Sequence, residues 1–127
     1  MLYLYLAAGG VVGTLARYRI GIWVPGWAGT GFPWATLLIN LSGSFLLGFA
    51  TRSAALLPVS PEVRGLVTIG FCGAFTTFST FTLETIGFLQ QGEWGRGAAY
   101  AFGSLALGLA ALVMGLSAAS ILLRTGG

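Results

Sequence analysis

Four apolar stretches of membrane-crossing length govern what this chain can fold into. They run over about 2–24, 34–57, 62–90 and 98–123 and consume most of the 127 residues. Roughly 20 apolar residues in a helix cross the hydrocarbon core of a bilayer. Only six residues are basic and three acidic, 7% of the chain, where a soluble domain carries about 25%. Nine charges cannot wet the surface of a soluble domain this size. The expectation is an all-α membrane protein with four transmembrane helices in a single domain. Soluble enzymes, nucleic-acid binders and disordered tails are excluded on the same ground.

The breaks between stretches are rich in turn formers. Pro25 to Pro33 holds two prolines and three glycines, Pro58 to Pro61 is the second break, and Gln90-Gln91-Gly92-Glu93 is a polar turn. Trp23, Trp27 and Trp34 flank the first break, where indole rings suit a membrane interface. The start, Met1 to Leu6, lacks the basic region of a secretory signal and reads as the beginning of an uncleaved helix. The absence of histidine removes the ordinary near-neutral proton shuttle. A single cysteine, Cys72, excludes an intramolecular disulfide and a multi-cysteine metal site.

The third stretch is too long for one straight crossing. Its segment from Gly70 to Phe81 mixes glycines, β-branched residues and aromatics, all poor helix formers. Two readings fit: a broken helix offering free backbone groups to an ion, or an unbroken helix whose glycines allow close packing. A break would fall near residues 73–77.

Four crossings put both termini and the second connection on one side. Arg52, Arg64 and Arg124 then belong to that side, and Arg96, with Arg17 and Arg19 displaced toward it, to the other. A chain with one fixed orientation normally shows a clear excess on its inner side. Three against three suits insertion in both directions and pairing of the copies as an antiparallel homodimer. The alternative is a weak bias settled during folding or insertion.

Polar residues recur on helix faces. Thr36, Asn40 and Ser44 are spaced every four residues, as are Tyr100, Ser104 and Gly108. Such stripes either line a pathway or act as interhelical glue. Gly9, Gly13 and Arg17 form a third row, in which Arg17 is an electrostatic attractant for anions or an interfacial anchor. Glu84 follows the Thr/Phe-rich segment and has no second intramembrane acid to form a proton relay. Phe78 and Phe81 lie three apart. Their positive ring edges can stabilise a small anion without a full charge, or they can be core residues. Thr76, Thr77, Ser79, Thr80 and Thr82 surround them with hydroxyls.

The run Gly70-Phe71-Cys72-Gly73-Ala74-Phe75-Thr76-Thr77-Phe78-Ser79-Thr80-Phe81, followed by Glu84, resembles the signature of the small CrcB/Fluc fluoride-channel family. Gly13 to Arg17-Tyr18 and the segment from Trp34 to Phe45 support the resemblance, which covers essentially the whole chain. It implies a dual-topology antiparallel homodimer with two pores that export fluoride passively across a prokaryotic inner membrane. It carries a pore role onto Asn40, Phe78 and Phe81, and a polar track onto Ser79, Thr80, Glu84, Tyr100 and Ser104. It also implies a structural sodium ion (Na+) at the dimer axis, held by the backbone carbonyls of Gly73 and Thr76 of both copies. One departure is Gly108, where some members carry a second hydroxyl. No nucleophile–base pair or metal cluster suggests an enzyme. The other readings are a small dual-topology multidrug exporter and a noncatalytic assembly subunit. The exporter design places its glutamate in the first helix, which here carries arginine.

Overall fold

The computed structural model describes residues 1–124, and among them every regular element is helical. α1 spans Leu2–Ala28, α2 Trp34–Leu56, α3 Pro61–Gly65, α4 Cys72–Phe75, α5 Phe78–Gln90 and α6 Trp94–Arg124, with a π-helical segment Leu66–Phe71 joining α3 to α4. Three helical units are long and apolar enough to cross a membrane: α2, the composite Pro61–Gln90 and α6, with mean hydropathies of 1.4, 1.5 and 2.2. α1 is 27 residues long, but Arg17 and Arg19 dilute its apolar character.

The helix ends follow from local chemistry. α1 continues past Val24 through Pro25, because a proline so near the end removes little of the hydrogen-bond ladder. Gly29, at φ 81°, then turns the chain away in a conformation that favours glycine. Ser60 caps α3, its Oγ accepting from the Val63 amide at 3.3 Å, and Pro61 occupies the first turn, where its missing N–H costs nothing. α6 begins at Trp94, ahead of the apolar stretch read from about 98. Its first turn is held by a bond from the Gly97 amide to the Glu93 carbonyl, 2.9 Å.

Close backbone approach sets the packing. α2 packs most extensively against α6, and the two cross at Gly48 and Gly115. A Cβ on Gly115 would overlap the Phe45 carbonyl, and one on Gly48 the Leu112 carbonyl. α1 lies on the π-helical segment and α4 in the same manner, with Gly13 against the Phe71 carbonyl. Small residues suit helix pairs that gain no hydrophobic drive from lipid. The buried core is correspondingly small, with Val24, Ile39, Phe75 and Tyr100 among its members. Outward faces are strongly apolar: Val11, Leu15, Ile22, Leu109 and Val113 are each more than half exposed.

Candidate functional site

The helical rod running from α3 through α4 stops at Thr76. Thr76 (ψ 158°) and Thr77 (φ −148°, ψ 111°) are extended, and α5 restarts at Phe78. An interruption at this depth must find partners for its backbone groups inside the protein. Asn40 of α2 supplies them. Its Oδ1 accepts from the Thr77 amide at 2.8 Å, and its Nδ2 donates to the Thr77 carbonyl at 3.0 Å. Thr77 is 7% exposed, so this amide pair replaces water that is absent there. The Thr77 hydroxyl then caps α5 by accepting from the Thr80 amide at 3.3 Å, and it donates to Thr80 Oγ1 at 2.8 Å.

The engagement of Asn40 has a consequence at Gly73. In an unbroken helix the Thr77 amide would bond to the Gly73 carbonyl. Here that amide is taken by Asn40, and Gly73 lies exposed with open space around it. The Thr76 carbonyl accepts a long contact from Arg17 Nη1, 3.4 Å.

Two cavities flank the break. The smaller, about 290 Å³, is lined by Asn40, Ser44, Phe78, Phe81, Ser104 and Gly108 together with leucines of α6, and none of the described residues lining it is charged. Ser104 Oγ is buried there and makes no hydrogen bond with the described residues. A buried hydroxyl left unpaired costs on the order of 1–3 kcal/mol, so a ligand that accepts its proton is favoured. The rings of Phe78 and Phe81 lie 5.8 Å apart at 43°, and Phe81 meets Tyr100 at 5.2 Å. Phe78 is 77% exposed in the single chain.

The larger cavity, about 660 Å³, contains Arg17, Thr36, Thr77, Thr80, Glu84 and Arg96 in its wall. Glu84 is fixed by two hydroxyls: Thr36 Oγ1 donates to Oε1 at 2.7 Å and Tyr100 OH donates to Oε2 at 2.6 Å. Bonds to a carboxylate are among the stronger ones available to a side chain. Tyr100, 1% exposed, thus has its ring against Phe81 and its hydroxyl on Glu84. It lines neither cavity itself and connects their walls through Phe81 of the smaller and Glu84 of the larger.

The structure therefore brings Asn40, Phe78, Phe81 and Ser104 around one cavity, and Arg17, Thr80 and Glu84 around the other. Ser79 is exposed and lines neither. The stripe Thr36, Asn40, Ser44 divides into three tasks: a carboxylate donor, a backbone cap and a cavity wall. Sequence reasoning missed Arg96 and Phe32. Arg96 pairs with Glu93 at 2.7 Å, lies 5.1 Å from the Phe88 ring centre and donates to the Gly31 carbonyl, tying the first connection to α6. Phe32 then meets Tyr100 edge-on at 5.4 Å. Only the i, i+3 pairing of Glu93 with Arg96 was visible in the sequence.

Residues 4–116 match the family model described as CrcB-like protein, Camphor Resistance (CrcB). The fluoride-specific ion channel FluC of Thermus thermophilus is 48% identical over 113 residues, covering 89% of each chain. The protein of the same name from Chlorobaculum tepidum is 50% identical over 113 residues, covering 88% of this chain and 89% of its own. That from Acidobacterium capsulatum is 45% identical over 117 residues, covering 91% and 94%. With apolar helices of crossing length and relatives named as ion channels, this is a multi-pass membrane protein. Its match to the family model and its likeness to these relatives, both running over most of its length, make the chain a member of the CrcB family.

Proposed function

We propose that the chain is a fluoride-selective channel, passing the anion passively out of the cell across the inner membrane, and that it works as an antiparallel homodimer of four-crossing, dual-topology subunits. The observation that carries the reading is the uncharged cavity beside the break. It combines a buried hydroxyl without a partner among the described residues, an amide and two phenylalanine rings. A small, strongly hydrated anion needs replacement donors when it sheds water, and a fixed positive charge would bind it too tightly to release. The name shared by the relatives, fluoride-specific ion channel, supports the same substrate. No covalent step is involved.

The pairing of two copies is supported by the balanced arginines and by Phe78, a pathway candidate that is 77% exposed in one chain. A second copy would cover that ring and complete the cavity. α1 would be the fourth crossing, its 27 residues being long enough despite Arg17 and Arg19. A sodium ion would lie between the copies, held by the carbonyls of Gly73 and Thr76 from each. The freed Gly73 carbonyl is the right donor for a hard cation, and the ion would neutralise the carbonyl ends where two breaks meet. The Arg17 contact to the Thr76 carbonyl is long enough to be displaced.

Glu84 lies in α5 and already accepts two hydroxyl bonds, whereas the drug-exporter design carries its glutamate in the first helix, where this chain has Arg17 and Arg19. The test is fluoride release from proteoliposomes loaded with potassium fluoride and triggered with a potassium ionophore. Prompt release is expected; no release from well-folded protein overturns the proposal.

A further inference from the structure

Arg52, near the end of α2, is anchored by a hydroxyl of α6. Its Nε donates to Ser120 Oγ at 2.7 Å, and the Ser120 hydroxyl donates to the Leu116 carbonyl at 3.0 Å. The hydroxyl proton is thereby turned away, and its lone pairs hold the guanidinium in one orientation. Among the described residues Arg52 has no carboxylate partner: Glu93 is paired with Arg96, Glu84 is bound by Thr36 and Tyr100, and Glu62, in the first turn of α3, makes no ion pair with it. The terminal nitrogens of Arg52 make no hydrogen bond there either. Arg52 lines an open depression of about 540 Å³ together with Leu116, Ser117, Ser120 and Ile121.

Position narrows the ligand. Arg52 lies five helical turns beyond Trp34, about 27 Å along the axis at about 1.5 Å per residue. That is close to the roughly 30 Å of a hydrocarbon core, so with Trp34 at one interface Arg52 reaches the depth of the opposite headgroups. Ser117, exposed, adds a hydroxyl, and Arg124 follows Ser120 by one turn of α6. A guanidinium presents two parallel N–H donors that fit two oxygens of a phosphate. The apolar wall beside it, with Leu116, suits an acyl chain.

We propose that Arg52 and Ser117 seat the phosphodiester of an anionic glycerophospholipid, with its acyl chain along Leu116. The seat is separate from both cavities at the break and does not depend on the ion that the protein conducts.

The test uses the full-length protein and phosphatidylglycerol bearing a photoactivatable group near the headgroup, with labelled residues mapped by mass spectrometry. Labelling at 116–121 is expected to fall at least fivefold in Arg52→Gln, less in Arg52→Lys, and about twofold in Ser117→Ala. Labelling near Trp23 and Trp27 is expected to stay unchanged. Excess unlabelled phosphatidylglycerol is expected to remove the signal, whereas phosphatidylcholine and inorganic phosphate leave it. Unchanged labelling in folded Arg52→Gln overturns the proposal. So does equal competition by phosphatidylcholine, or competition by inorganic phosphate, which would mark a soluble-anion site. If the glutamine variant does not fold, the lysine and Ser117→Ala variants decide: wild-type labelling in both contradicts the assignment.

Discussion

Replacing Asn40 with alanine should damage the protein in a way that separates scaffold from pathway. The wild-type amide makes two bonds to one buried peptide unit, at 2.8 and 3.0 Å. Alanine leaves the Thr77 N–H and C=O unpaired at a site that is 7% exposed. Each orphaned group costs on the order of 1–3 kcal/mol. Partial relaxation or entry of water would recover some of this, so the expected loss is about 2–4 kcal/mol in the extended break. Asn40→Asp probes the geometry further. One carboxylate oxygen can still accept from the Thr77 amide, but the other faces the Thr77 carbonyl with no proton to offer when ionised. Both variants should lower thermal stability in detergent and slow ionophore-triggered fluoride efflux at least tenfold. Wild-type stability with wild-type efflux in Asn40→Ala would refute the assignment of Asn40 to the break. Wild-type stability with lost efflux would refute only the structural part and leave Asn40 as a donor in the pathway.

Phe78→Ala, at a side chain 77% exposed in the single chain, should cost the isolated fold less than about 1 kcal/mol yet slow fluoride efflux strongly; retained flux removes Phe78 from the pathway. Gly115→Val should drive α2 from α6, since even a Cβ there would overlap the Phe45 carbonyl. A loss of about 1–3 kcal/mol or more should appear as reduced yield of folded protein, and normal yield and melting would contradict the close crossing. Gly108→Ser should be tolerated within about 0.5 kcal/mol, because its Cβ would meet only Ser44 Oγ, at 4.0 Å; it adds a hydroxyl to the cavity wall, and destabilisation on melting would count against this packing.

The sequence announces the helices because each apolar stretch is long and bounded by Pro, Gly or a polar turn. Its ends were less legible. α1 runs on through Pro25, and α6 starts at Trp94 with two glycines and Arg96 in its first turn, since a ladder tolerates both there. The poor helix formers between Gly70 and Phe81 left two conformations open. The one found, extended at Thr76 and Thr77, is completed by Asn40 from a different helix. Local propensity carries no such long-range term. Spacing correctly grouped Thr36, Asn40 and Ser44 on one face, but residues four apart rotate by about 40° around the axis. About two turns are enough to address Glu84, Thr77 and a cavity in succession. The tie from Arg96 to Gly31 links positions 65 apart and has no local signature.

The central claim is that uncharged donors beside the break select a small anion. The most direct measurement is the zero-current potential across a planar bilayer containing the protein, with unequal fluoride on the two sides and chloride making up the balance on the dilute side. The account predicts a potential set by fluoride alone and unmoved when chloride is exchanged for a larger inert anion. A potential that tracks the chloride gradient, in a preparation that conducts fluoride, would contradict it.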